Sequence, residues 1–301
     1  MRVVVLPDAA LRDAVGPVDG AELLVWDGTG PAPQHADLWV PPYMSHGQVV
    51  HRAAELPGLR LVQLQSAGYE GVPEHLPPGV QLANAAGVHD DATAEHAVGL
   101  ILAVLRGLPE AVRAQDHGTW TRMPGRRSLA DSRVLVLGHG SIGQALAERL
   151  VAMKAQVTGV ARTARPDNLV GRVHGTDDLP DLLPRQDVVV VLTPLTAQTR
   201  HLVDAAFLTR LADGALVVNV ARGPVVDTDA VLAEAGRLRF ALDVTDPEPL
   251  PEGHPLWSAP GVLVTPHVAG GTTAMLPRMA ALVRTQAEEL VAGRPALHVV
   301  A

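Results

Sequence analysis

Arg133-Val134-Leu135-Val136-Leu137 runs directly into Gly138-His139-Gly140-Ser141-Ile142-Gly143, and a helical pattern carries on to Met153. The first stretch is a short apolar run of the buried-strand type. The three glycines stand where a strand-to-helix turn needs them. The first permits the tight turn, the second lets a pyrophosphate approach the backbone, and the third lets the helix pack closely on the strand. The anion then sits at the helix N-terminus. Glycine spacing alone is a weak signal, but a strand before it and a helix after it supply the confirming context. The expected cofactor contacts from this turn are Gly138, His139, Gly140, Ser141, Ile142 and Gly143.

On both sides of the turn, short apolar runs alternate with helical patterns, which predicts α/β layers with parallel sheets. Upstream, Val3–Leu6, Glu22–Trp26, Asp37–Val40 and Leu59–Gln63 read as strands, with a short helix over His46–Glu55. Glycine and proline punctuate Pro73 to Gly87, and a long helical pattern runs from Asp91 to His117. Such a helix of about 27 residues would span roughly 40 Å, enough to bridge two domains. Asp90-Asp91 reads as its cap. Downstream strands fall near Gln156–Val160, Asp187–Leu192, Ala215–Val220, Arg239–Leu242 and Gly261–Val264. Helical patterns cover Asp204–Leu211 and Asp227–Ala235, and an amphipathic helix from Thr273 to Ala292 is stopped by Gly293 and Pro295.

The 301 residues suggest two domains. With no cysteine, disulfides, thiolate metal sites and thiol nucleophiles are excluded. A net charge of −8, its acidic residues dispersed, argues against nucleic acid or an anionic membrane as partner. The longest apolar stretch, Ala97 to Leu105, is far below the ~18 residues of a membrane span. The short apolar N-terminal run is not a signal-peptide core, so the expected location is the cytoplasm. No ligand set at metal-binding spacing is present.

An NAD site places Asp or Glu after the second strand of the cofactor domain, on the ribose 2′-hydroxyl. This chain has Ala161-Arg162-Thr163-Ala164-Arg165 there. Two guanidiniums and no carboxylate suit a 2′-phosphate, because charge-assisted bonds of ~1.5–3 kcal/mol each give a 10- to 100-fold preference. NADP(H) is the expected cofactor, and NAD(H) remains open. Three further strand ends carry charge: Asn219-Val220-Ala221-Arg222-Gly223, Asp243 through Glu248, and Thr265-Pro266-His267. In open α/β sheets ligands lie beyond the carboxyl ends of the strands. Hydride addition to a 2-oxo acid needs a cation to hold the carboxylate and polarise the ketone, and Arg222 offers the planar fork. It also needs a proton donor near neutral pH, which suits His267. A partner carboxylate, Glu248, would stabilise the imidazolium and fix its tautomer. No serine stands on a nucleophile-elbow pattern.

These motifs, together with Thr193-Pro194-Leu195-Thr196 and Thr199, occur in order over nearly the whole chain. The chain resembles the D-isomer-specific 2-hydroxyacid dehydrogenase family. The resemblance implies two Rossmann-like lobes, doubly wound parallel sheets with the active-site cleft between them. It divides the chain into 1–92 plus 269–301, which binds substrate, and 93–268, which binds the dinucleotide. It makes Arg222, Glu248 and His267 the catalytic residues, with Arg222 and His267 also binding substrate. Ala67 and Gly68 would hold the substrate carboxylate through backbone amides. It adds Thr193, Pro194, Thr199, Val220, Ala221, Asp243 and Gly270 to the cofactor contacts, Asp243 facing the nicotinamide carboxamide. Glu95-His96 matches its family position and reads as structural. Tyr43 and Met44 either line the substrate side-chain pocket or form a plain turn.

Ala161, Arg162 and Arg165 resemble the glyoxylate/hydroxypyruvate reductase branch, so a small 2-oxo acid is the implied substrate and a homodimer the implied assembly. At 301 residues the sequence is short for the family, so the C-terminal regulatory extension of long phosphoglycerate dehydrogenases, and with it allosteric serine control, is not expected. Phosphoglycerate- and phosphite-type dehydrogenases stay open as alternatives. Formate dehydrogenases carry an amide where Glu248 stands. A dinucleotide-sensing corepressor is the rival of another class, separated by whether the bound dinucleotide is turned over. His46, His51, His75, His89, His201 and His298 read as structural or solvated.

Overall fold

A computed structural model describes residues 1–45 and 49–301. The chain folds into two compact units, Met1–His89 with Thr272–Ala301, and Asp90–Gly271. The sequence expectation placed these boundaries at 92/93 and 268/269.

In the first unit, β1 (Arg2–Leu6), α1 (Ala9–Val15), β2 (Ala21–Val25), β3 (Leu38–Trp39), β4 (Leu61–Gln63) and β5 (Gln81–Ala83) build a five-stranded parallel sheet of order β2-β1-β3-β4-β5. The order reverses between β1 and β3, the doubly wound pattern. Alternate residues of the central strands serve two cores. Val4, Leu6 and Leu38 pack with Leu11 and Val15 of α1, while Val5, Trp39 and Val62 pack with Trp26 and Leu82. The helix expected over His46–Glu55 is a 3-10 helix at Val50–Glu55, with His46 to Gln48 outside the described residues. The punctuated segment Pro73–Gly87 hides β5, too short to show a period. The C-terminal tail lies antiparallel on it, with Leu82 N donating to Ala301 O at 2.7 Å and Asn84 N to His298 O at 3.1 Å.

The second unit opens with a correction. The single helix expected from Asp91 to His117 is two, α2 (Asp90–Arg106) and α3 (Leu108–Asp116). Gly107 between them takes φ +69°, and Pro109 in the first turn of α3 has no N–H for α2 to use. The 17 residues of α2 span roughly 25 Å. Asp90 and Asp91 lie inside its first turn, where negative charge faces the positive helix end. Asp91 also accepts from Arg149 at 2.7 Å.

Then come β6 (Arg133–Leu137), α4 (Ser141–Ala152), β7 (Gln156–Val160), β8 (Arg165–Asp167), β9 (Gly171–His174), α5 (Leu179–Leu182) and β10 (Val188–Val191). They are followed by α6 (Ala205–Leu208), β11 (Leu216–Asn219), α7 (Thr228–Glu234), β12 (Arg239–Leu242) and β13 (Val262–Val264). The sheet order is β13-β12-β11-β10-β6-β7-β9-β8, parallel except for the antiparallel hairpin β8–β9. Strand order reverses between β6 and β10, the switch point where such sheets bind ligands. The four valines of β10 are all buried, as expected of a strand covered on both faces. Val134 and Val136 of β6 pack with α2 and α4, while Leu135 and Leu137 pack on the opposite side with Phe207, Leu208 and Val231. The helix expected over Asp204–Leu211 is the four-residue α6, capped by Asp204, whose carboxylate accepts from Phe207 N at 2.8 Å.

The chain then returns to the first unit with α8 (Met275–Ala292), ended as expected at Gly293, φ +70°. Its Met279 and Val283 complete the core around α1. Among the described residues no helix is long and apolar enough to cross a membrane.

Candidate active site

Gly138 leaves β6 at φ +109°, and a Cβ there would stand 2.5 Å from the carbonyl carbon of Leu192. A Cβ on Gly143 would stand 2.4 Å from Gly138 O. These two positions are glycine because backbone occupies the space a side chain needs. Around Gly140 a Cβ would meet nothing within 4 Å, so this face is open to a ligand. Gly140 caps α4 without a side-chain hydrogen bond, and the first N–H groups of the helix, from Ser141 on, have no intrahelical acceptor. Across the switch point the Thr193 hydroxyl is buried with no partner among the described residues. An open glycine cradle, free helix amides and an orphaned hydroxyl fit a dinucleotide pyrophosphate. Thr199 shapes the loop beyond Thr193 by donating to Pro194 O at 2.6 Å and accepting from Thr196 N at 2.8 Å.

His139 is only 2% exposed. Its ring packs on Gly159, where a Cβ would come within 3.0 Å of it, and its N–H donates to Val160 O. The ring is therefore packing rather than a ligand contact. Burial pushes its pKa down, against the attraction of Asp167, whose carboxylate lies 3.5 Å away. Arg165 reaches back over the turn and donates to His139 O at 2.5 Å. Arg162, Thr163 and Arg165 are exposed, while Ala161 is half-buried, its N–H on His174 O. The carboxylate of Asp167, on β8, is itself occupied by the amides of Leu169 and Val170.

Strands β11, β12 and β13 are neighbours in register, Asn219 beside Leu242 and Leu242 beside Val264. Three residues past the ends of β11 and β13 stand Arg222 and His267, on one edge of the sheet. Asn219 braces the first turn, donating to Arg222 O at 3.0 Å and accepting from Ala221 N at 3.1 Å. Val220 and Ala221 are buried. Gly223 is obligatory: a Cβ there would lie 1.8 Å from Thr245 O. His267 Nδ1 lies 2.5 Å from Glu248 Oε1. An ionised carboxylate only accepts, so Nδ1 carries the donated hydrogen and Nε2 is left for a ligand. Glu248 is aimed by a braced loop, in which Thr245 donates to Pro247 O at 2.8 Å and Thr228 to Asp246 O at 2.7 Å.

Residues 98–269 match the protein family described as D-isomer specific 2-hydroxyacid dehydrogenase, NAD binding domain. A glyoxylate reductase of Thermofilum pendens is 35% identical over 75% of this chain and 70% of its own length. The human glyoxylate reductase/hydroxypyruvate reductase is 33% identical over 71% and 68%. The chain belongs to the D-isomer-specific 2-hydroxyacid dehydrogenases. Among solved structures, the D-isomer specific 2-hydroxyacid dehydrogenase of Xanthobacter autotrophicus Py2, in complex with NADPH and MES, superimposes with TM-score 0.81 at 33% identity, covering 99% of this chain and 98% of that one. The NADPH-dependent glyoxylate/hydroxypyruvate reductase of Sinorhizobium meliloti, in complex with NADP and sulfate, gives 0.84 at 25% identity, covering 100% and 98%. This dehydrogenase thus works with a nicotinamide cofactor.

In this dehydrogenase the first unit holds the remaining candidates. Ala67 and Gly68 sit on a partly exposed loop after β4. Tyr43 stacks on His89, ring centroids 5.7 Å apart, while Met44 is 48% exposed at φ +60° in a turn closed by Ser45 on Pro42 O.

A network around Asp243 escaped sequence reasoning. Its carboxylate, 2% exposed, accepts from Thr265 Oγ1 at 2.6 Å and from the amides of Val268 and Ala269 at 3.0 Å each, with His96 Nε2 at 3.2 Å. Its backbone carbonyl accepts from His267 N at 2.7 Å. Asp243 therefore straps the segment that carries His267, which holds φ +51°, and that leads to Gly270. A Glu-His pair on a helix signals no such link, because His96 and Asp243 meet across 147 residues of chain.

Burial works to raise the Asp243 pKa, but hydrogen bonds from His96, Thr265, Val268 and Ala269 outweigh it and leave it below its ordinary value. A carboxyl held more acidic when folded stabilises the fold above the usual carboxylate range and loses that contribution as pH falls through it. Asp243→Asn is expected to lower the unfolding free energy at neutral pH by about 1–3 kcal/mol. In urea melts the gap to wild type should narrow on acidification. A pH-independent gap would remove the charge from the account.

Proposed function

We propose that the chain is an NADPH-preferring reductase of small 2-oxo acids such as glyoxylate or hydroxypyruvate. The observation that carries the reading is the His267–Glu248 pair, at 2.5 Å, on the sheet edge where β11 delivers Arg222. When bound, the reduced nicotinamide supplies the hydride for C2 of the 2-oxo acid. His267 protonates the C2 oxygen from Nε2, and Glu248 holds the Nδ1 hydrogen and stabilises the imidazolium. Arg222 binds the acid through its guanidinium fork, which also polarises the ketone. The amides of Ala67 and Gly68 take the carboxylate. Gly138 to Gly143, Thr193, Pro194, Thr199, Val220, Ala221, Asp243 and Gly270 form the nicotinamide dinucleotide site.

Cofactor choice rests on Arg162, Thr163 and Arg165, with Ala161 where an NAD site has its acid. The anchoring of Arg165 on the glycine turn supports this, as do the NADPH bound to the Xanthobacter dehydrogenase and the NADP bound to the Sinorhizobium reductase. The same charge pattern disfavours an NAD-type phosphoglycerate or phosphite enzyme. We also assign a homodimer and a cytoplasmic location. Support for the dimer comes from Leu108 and Val112 of α3, 51% and 56% exposed, and from Trp120, 93% exposed, all in the second unit.

Initial rates with glyoxylate, hydroxypyruvate and pyruvate, each with NADPH and NADH, test the substrate class. Arg162→Ala/Arg165→Ala should cost NADPH about 10- to 100-fold in kcat/KM and leave NADH little changed. Equal losses for both would refute a 2′-phosphate role. His267→Ala should lower kcat by about 10²–10⁴-fold in stopped-flow turnover. Near-normal kcat would sink the acid assignment. Sedimentation equilibrium should return twice the chain mass of 31.6 kDa, and a monomer mass would exclude the dimer.

A further inference from the structure

The loop after β4 is arranged so that none of three successive carbonyls is free. Ser66 O accepts from Ala85 N at 2.9 Å, Ala67 O from Asn84 Nδ2 at 2.8 Å, and Gly68 O from the Ser66 hydroxyl at 2.7 Å. Among the described residues the N–H groups of Ala67 and Gly68 have no acceptor. A peptide plane whose oxygen is fixed on one side has its amide hydrogens turned to the other. The loop therefore offers donors and withholds acceptors, the arrangement an anion needs.

Asn84 does not hold Ala67 O by chance of rotamer, because its own backbone is clamped. Its N–H donates to His298 O at 3.1 Å, and its carbonyl accepts from Gln63 Nε2 at 2.9 Å. Gln63, fully buried on β4, in turn accepts from Gln286 Nε2 of α8 at 2.7 Å. Gln286, 1% exposed, also grips Leu297 at both N and O, at 2.9 and 2.8 Å. Both hydrogens of each glutamine amide are used, Gln63 spending its second on Leu64 O. Buried amides this fully satisfied define one geometry, since any shift would leave a donor or acceptor unpaired.

We propose that Asn84 and Ser66 are positioning residues for the substrate carboxylate: Asn84, on Ala67 O, fixes the peptide plane that carries the Gly68 N–H, and the Ser66 hydroxyl, on Gly68 O, fixes the plane that follows and so closes the loop around the two free amides. The proposal rests on the 2-oxo acid reading of the site. Neither side chain touches the substrate, and neither belongs to the unit that carries the glycine turn.

The test uses the full chain with Asn84→Ala and Ser66→Ala. Binding of oxalate, a non-reducible analogue of glyoxylate, is measured by calorimetry in the presence of NADPH, alongside steady-state glyoxylate kinetics, the Kd of NADPH and thermal melting. Each variant should raise the oxalate Kd and the glyoxylate KM up to about tenfold, the effect of one neutral hydrogen bond lost, with kcat at saturation and the Kd of NADPH close to wild type. A merely structural role would lower the melting temperature without splitting KM from kcat. Folded variants with wild-type oxalate Kd and KM would overturn the proposal. Should Asn84→Ala fail to fold, Ser66→Ala decides alone, its hydroxyl bonding only within the loop. If wild type turns over no 2-oxo acid yet binds oxalate, and the variants weaken that binding, the positioning stands and the substrate reading falls. If wild type binds no oxalate, both fall.

Discussion

Asp243 leaves β12 with its carboxylate out of water and its backbone carbonyl on the amide of His267. Moving an ionised carboxylate out of water is expensive unless donors replace the solvent, and here a hydroxyl, two amides and an imidazole do so. That requirement ties together parts of the chain that share no local pattern. His96 comes from α2, Thr265 from the end of β13, and the amides from the turn beyond His267. A histidine at positive φ is strained for an L-residue and persists only where surroundings over-determine it. The strap is that surrounding. The His267–Glu248 contact depends on it, because Glu248 can meet Nδ1 only if the turn carrying His267 stays where Asp243 holds it.

What was legible in the sequence was whatever repeats locally or crowds the backbone. The strand at Arg133–Leu137, the three glycines and the helix after them form one continuous signal, as does the Gly293 stop of α8. The charged strand ends were legible because a sheet edge must place Arg222, Asp243, Glu248 and His267 on one side. What stayed hidden is short, interrupted or long-range. The strand β5 has three residues amid glycine and proline, and its partner is the chain's own tail, more than 200 residues on. The hairpin β8–β9 announces itself only as an arginine-bearing loop. The helix break at Gly107 was readable in principle, since Pro109 follows it, but an apolar period running across a break conceals it.

His139 shows how a motif position can mislead. By spacing it belongs to the cofactor turn. By packing it belongs to the wall behind it, since the ring fills the space that Gly159 leaves and its backbone is engaged on both sides by Val160 and Arg165. A residue inside a binding motif can serve by holding the next element, here Arg165 of β8. Position in a pattern assigns a neighbourhood, and only packing assigns the task.

The chain carries a net charge of −8 and yet must attract anions, a dinucleotide and an acid. Its overall field opposes them at long range. At physiological salt that field fades over roughly 8 Å, so short-range donors decide. Both candidate anion sites follow this logic in backbone rather than in lysine. The glycine turn exposes the first amides of α4, and the loop after β4 exposes those of Ala67 and Gly68 by binding up its carbonyls. Backbone amides carry no titrating proton, so their donor strength does not change with pH. Arginine adds a planar fork at two places beside these turns, Arg222 beyond β11 and Arg165 on His139 O. A reaction that shuttles one proton through one histidine works best when every other contact to the anion is indifferent to pH.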